Sequence, residues 1–85
     1  MQLLHYMQVM VTLHVGSGWK ICVYGGEPHA MPHFHIESAD YRCSVAIEGR
    51  EVIVGHAPNK VLRAAREWAA ANKGGLMAKW QELNG

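Results

Sequence analysis

From Val9 to Val54 the apolar residues fall mostly at every second position, and beyond Ala57 they recur at every third or fourth. This change of period constrains the fold more than any other feature, because a repeat of two belongs to strands and one near 3.6 to helices. Val9, Val11, Leu13 and Val15 share one parity, with Met10, Thr12 and His14 on the other. After the turn signal Gly16-Ser17-Gly18, Trp19, Ile21 and Val23 resume the inward set, which predicts a hairpin. Gly25 to Pro32 contains two glycines and two prolines and reads as a loop. It delivers the chain to Pro32-His33-Phe34-His35-Ile36-Glu37, where Pro32 suits the first position of a strand. Ser38-Ala39-Asp40 turns, and Tyr41, Cys43, Val45 and Ile47 alternate again on the inner face. Glu48-Gly49-Arg50 predicts a tight hairpin, Gly49 supplying a positive φ, before a last strand over 51–54 that Gly55 closes.

At Pro58 and Asn59 the signals become those of a helix start, Pro suiting the first turn and Asn a cap. Val61, Leu62, Ala65, Trp68 and Ala69 form one apolar stripe. Gly74-Gly75 is expected to stop this helix, with Lys73 beside its last carbonyls. Leu76, Met77, Trp80 and Leu83 then mark a shorter second helix. Strands followed by helices give an α+β class: an antiparallel β-meander of four to five strands with two C-terminal helices packed on one face. Trp68 and Trp80 are the expected anchors of those helices.

Eighty-five residues provide for one domain with one modest core. A composition 49% apolar and 18% charged describes a folded globule, and a net charge of +1 gives no electrostatic case for a nucleic-acid binder. Two cysteines, Cys22 and Cys43, make neither a disulfide framework nor a zinc knuckle and are expected to be reduced thiols. The apolar run from Leu3 to Val15 has no Lys or Arg before it, is interrupted by His5, Gln8 and His14, and falls short of a membrane span. The expectation is a cytoplasmic protein with no membrane partner.

The chemistry concentrates in the His-Phe-His strand. Alternation projects His33, His35 and Glu37 from one face while Phe34 and Ile36 enter the core. With the same parities His14, Cys22 and Ser44 join that face, and His56 follows the last strand toward it. Three uses of this surface are open. Two adjacent imidazoles supply an acid and a base, so His33 and His35 are the catalytic pair of a metal-independent ribonuclease, with Arg42 or Arg50 as the cation. No cofactor or metal is expected; were a metal held, the candidates are His29, His33, His35 and His56, with Glu37 as a further donor. The third use is recognition, in which Pro32, His33, Phe34, His35 and Glu37 form a binding surface and the strand pairs with a partner chain as an edge. Lys60, Arg63 and Arg66 on the first helix, with Lys73, form a second surface suited to an acidic partner or a phosphate backbone.

From Met10 onward the order of landmarks resembles a family of small bacterial proteins grouped as a domain of unknown function, number 4160. The matching features are Trp19-Lys20-Ile21-Cys22-Val23-Tyr24, then Pro32-His33-Phe34-His35-Ile36, the strand to Ile47, Glu51-Val52-Ile53-Val54-Gly55, Glu67-Trp68-Ala69, and Leu76 with Trp80. The resemblance leaves residues 1–9 as an N-terminal extension and 10–85 as the single α+β domain. Met31 stands where the family tends to have the first of two prolines. The resemblance implies a partner in a second small protein encoded nearby, as one component of a toxin–antitoxin-like two-gene system, and carries over no enzyme activity. A binding role is therefore the leading expectation. A homodimer and a nucleic acid are the other partners considered.

Overall fold

A computed structural model describes residues 9–27 and 31–85. Five strands, β1 (Met10–Val15), β2 (Lys20–Tyr24), β3 (His33–Glu37), β4 (Arg42–Ala46) and β5 (Val52–Gly55), precede helices α1 (Asn59–Ala71) and α2 (Lys73–Asn84). The strands form one antiparallel sheet in chain order, so β1 and β5 are its edges and β3 is its centre. The expected α+β architecture is what the chain adopts, with five strands. The His-Phe-His strand is not an edge, however: β2 and β4 pair with it on either side, which removes it as a site for strand addition.

The core lies between one sheet face and the helices. Ile21, Val23, Phe34, Ile36, Val45 and Ile47 fill it from the sheet, and Ala65, Ala69, Leu76 and Trp80 from the helices. The inward parities of β2, β3 and β4 are thus as the alternation predicts. In α1 the buried stripe is built on alanines, and small side chains let a helix approach a sheet closely.

β1 departs from the expected pattern. Thr12 pairs with Cys22 but His14 pairs with Ile21, so Leu13 and His14 together oppose one residue of β2. Such a bulge reverses the parity of everything after it. His14 therefore turns to the helix side, where its ring stacks 5.1 Å from that of Trp68 and lies 5.6 Å from that of Trp19. Val15, expected inward, is exposed.

The helix junction also differs. Pro58 occupies the N-cap position and Asn59 the first helical one, the reverse of the sequence assignment, and Leu62 N–H bonds to the Pro58 carbonyl at 2.9 Å. The first helix ends at Asn72, whose side chain donates to the Trp68 carbonyl at 2.8 Å, and not at the glycines. Gly74 and Gly75 lie inside α2, and Lys73, at its start, pairs with Glu48 at 2.6 Å. Neither glycine has a positive φ and a Cβ on either would meet open space. Gly74→Ala and Gly75→Ala are therefore each expected to stabilise the fold by about 0.5–1 kcal/mol, read as a raised urea midpoint at unchanged slope.

The turn between β4 and β5 has a positive φ at both Gly49 (83°) and Arg50 (57°), as a tight hairpin requires. Arg66 Nε donates to the Arg50 carbonyl at 2.8 Å, fastening the turn to α1. β5 is itself bulged: Ser44 faces Val54 while Val45 faces Val52, leaving Ile53 as the extra residue.

Candidate functional site

The site begins with the central strand. Phe34 and Ile36 are fully buried beneath the helices, which fixes His33 and His35 on the opposite face with ring centroids 4.9 Å apart. Pro32 sets the start of the strand, its carbonyl accepting from Ile47 N–H at 3.1 Å. The two imidazoles are side by side, as alternation predicts, but this is not a wet face. His33 is only 7% exposed, with the ring of Trp80 5.0 Å from its own and the Glu27 carboxylate against its Nε2. Cys22, across from His35, is fully buried.

Each imidazole is oriented through Nδ1. His33 Nδ1 is 2.7 Å from the Met31 carbonyl, which can only accept, so Nδ1 carries the proton. His35 Nδ1 lies 3.3 Å from Ser44 Oγ on β4. Both Nε2 atoms then point to one carboxylate, that of Glu27: His33 Nε2 is 3.2 Å from Oε1 and His35 Nε2 is 3.9 Å from Oε2. His35 Nε2 is buried and, among the described residues, has no hydrogen-bond partner. Burial first, and then the adjacent His33, hold His35 below the ordinary imidazole pKa, against the pull of Glu27 and Glu37.

Glu27 was not legible as a site residue. It lies in the Gly/Pro loop, and its position depends on the far end of the chain. Its backbone N–H donates to Asn84 Oδ1 at 2.7 Å, and Asn84 Nδ2 donates in turn to the Tyr24 and Trp80 carbonyls. The only local signal was a carboxylate six residues before a His-x-His strand.

Glu37, expected beside the histidines, is engaged elsewhere. The Tyr24 hydroxyl donates to its Oε2 at 2.6 Å, and Arg42 does so at 2.8 Å. Burial works against the Glu37 carboxylate, but the Tyr24 bond and Arg42 outweigh it and hold its pKa below the usual range. Tyr24 is correspondingly pushed up, by burial and by Glu37. Arg42, considered as a catalytic cation, is thus bound to Glu37. His56 is exposed and takes no part in the Glu27–His33–His35 cluster, and His29 lies outside the described residues. Cys22 and Cys43 are free buried thiols, and burial pushes Cys22 up to about 11, so both are protonated near neutral pH.

The cluster opens into a pocket of about 270 Å³ lined by Glu27, Met31, His33, His35, Ser44, Ile53 and Val54. Its walls are apolar because the β5 bulge brings Ile53 and Val54 to it together. Of the proposed basic surface, Arg66 on α1 is tied to the Arg50 carbonyl and Lys73 at the start of α2 to Glu48, which leaves Lys60 and Arg63 as its outward charges. No described helix is long and apolar enough to cross a membrane.

No curated protein and no solved structure matches the chain. The model of one family does, over residues 18–81, a span that runs from the β1–β2 turn through most of α2 and contains the whole cluster. By that match the chain belongs to the family described as a domain of unknown function, DUF4160.

Proposed function

We propose that this protein is a partner-binding module of a bacterial, toxin–antitoxin-like two-gene system, taking a second small protein along β5 and the pocket beside it. One observation carries the reading. β5 is a sheet edge with no charged residue, and Val52, Ile53 and Val54 on it are 37%, 47% and 63% exposed. Soluble proteins ordinarily blunt such an edge with charge, proline or a covering segment, since its unpaired N–H and C=O groups template another strand. Here the bulge only turns the edge, and exposed Met31 extends the apolar surface to the rim of the histidine pocket. An added strand would gain backbone hydrogen bonds from β5 and side-chain contacts in the pocket. In this reading Pro32 and Phe34 hold the platform while His33 and His35 form the pocket floor.

The test is co-expression with the product of the adjacent gene, carrying the tag on that product. Stoichiometric capture of the wild-type chain is expected, reduced at least roughly tenfold by Ile53→Asp because a charge would be left in an apolar contact. Ile53 is exposed, so the substitution should change stability by no more than about 1 kcal/mol. Absence of capture by the wild type, or full capture by Ile53→Asp, defeats the reading. A second copy of the chain pairing through β5 would appear instead as a dimer of the isolated protein, abolished by the same substitution.

A further inference from the structure

We propose that Glu27, His33 and His35 form a binding site for one divalent transition-metal ion, with zinc the best matched. The three donor atoms lie within 4.8 Å of one another, with His33 Nε2 3.2 Å from one oxygen of the Glu27 carboxylate and His35 Nε2 3.9 Å from the other. A tetrahedral ion holding nitrogen and oxygen ligands at about 2.0–2.1 Å places neighbouring donors about 3.3 Å apart, so the His33 contact with Glu27 already fits and the wider donor pairs need to close by no more than about 1.5 Å, within reach of a side-chain adjustment of Glu27.

The tautomers argue for a cation independently of the distances. With Nδ1–H of His33 committed to the Met31 carbonyl, a neutral ring turns the bare lone pair of Nε2 toward a carboxylate oxygen 3.2 Å away. Two acceptors face each other in a largely buried place unless a proton or a metal ion stands between them. The second imidazole repeats the pattern. His35 Nδ1 is engaged by Ser44, while Nε2 is buried, without a hydrogen-bond partner among the described residues, and aimed at the other oxygen of the same carboxylate. An outer partner on one ring nitrogen and a free lone pair on the other is how metal-binding histidines are held.

The support is rigid where a metal site needs it. Two donors stand on the central strand, and the third is pinned through its backbone to Asn84 at the end of α2. Two imidazoles and one carboxylate suit zinc or ferrous iron and disfavour calcium and magnesium, which take oxygen donors. Three protein ligands leave an ion one position for water or for a group on a bound molecule, and the pocket walled by Met31, Ile53 and Val54 adjoins it.

The test uses untagged full-length protein, stripped with a chelator, and titrated with zinc by calorimetry and with cobalt(II) by visible absorption. One ion per chain and the d–d bands of a four-coordinate cobalt centre are expected. Glu27→Gln, a change in a partly exposed loop that leaves the core untouched, should weaken binding by at least roughly 10- to 100-fold. His35→Ala should abolish the cobalt bands, and His56→Ala, outside the cluster, should leave them unchanged. No uptake by folded wild-type protein overturns the proposal, as does binding that survives Glu27→Gln and His35→Ala at wild-type strength. Because the titration needs no partner, its failure is separable from failure of the binding role proposed above.

Discussion

Phe34→Ala is expected to destabilise the fold by about 3–5 kcal/mol, in the top range for truncating a single core side chain. Phe34 is fully buried, is the largest of the fully buried side chains, and stands on the central strand with Ile21, Val45 and the helices packed around it. Removing its ring costs the transfer of the lost carbons and leaves a cavity that a sheet paired on both sides cannot close. A domain of this length has about 4–13 kcal/mol in total, so the variant should lose at least roughly 12 °C in Tm and be partly unfolded at physiological temperature. Phe34→Leu, which keeps most of the volume, should cost less than about 2 kcal/mol. Urea denaturation of both variants checks this. An alanine variant within about 1 kcal/mol of wild type would mean that the ring does not occupy the core.

The second large effect is expected at Gly55, where Gly55→Ala should cost about 2–4 kcal/mol and free β5 from β4. Two causes act together. Gly55 has φ 82°, and a Cβ on it would stand 2.3 Å from the Arg42 carbonyl oxygen and 3.1 Å from Cys43 Cα, both backbone atoms that cannot swing away. Gly49 separates the causes. Its φ is 83°, yet a Cβ there meets nothing, so Gly49→Ala should show only the conformational penalty of about 1 kcal/mol. The difference between the two variants measures the clash. Amide exchange should accelerate selectively over 52–55 in Gly55→Ala, and partner capture should fall although Gly55 need touch no partner, because the clash displaces Ile53 and Val54. Equal costs for the two glycines would show that the β4–β5 contact is looser than described.

Much of this was legible in the chain because alternation is local. Each strand residue sends its side chain opposite to its neighbour, so the apolar positions of 19–23, 34–36 and 41–47 fixed which faces would be buried. The stripes Val61–Ala69 and Leu76–Leu83 did the same for the helices. The pairing of His33 with His35 followed from the same rule. The failures share a cause as well. The Leu13–His14 bulge inserts one residue into a regular pattern, and no composition signal marks it; it is seen in the stacking of His14 on Trp68, a helix residue far along the chain. Gly74-Gly75 looked like a stop, but the preceding Asn72 already satisfied the end of α1, and packing of Leu76 and Trp80 carries α2 through its weak first turn.

The sequence by itself determined the class of fold, the order of its elements, and the two imidazoles that share a face, since each is set by the geometry of adjacent residues. Tertiary structure alone decided that the histidine strand is central, that Arg42 and Tyr24 take Glu37 away from the imidazoles, and that Glu27 replaces it. The carboxylate is placed there by the bond of the Glu27 backbone N–H to Asn84, 57 residues distant in the chain. A contact of that span exists only once the sheet and both helices have assembled, so no local pattern encodes it.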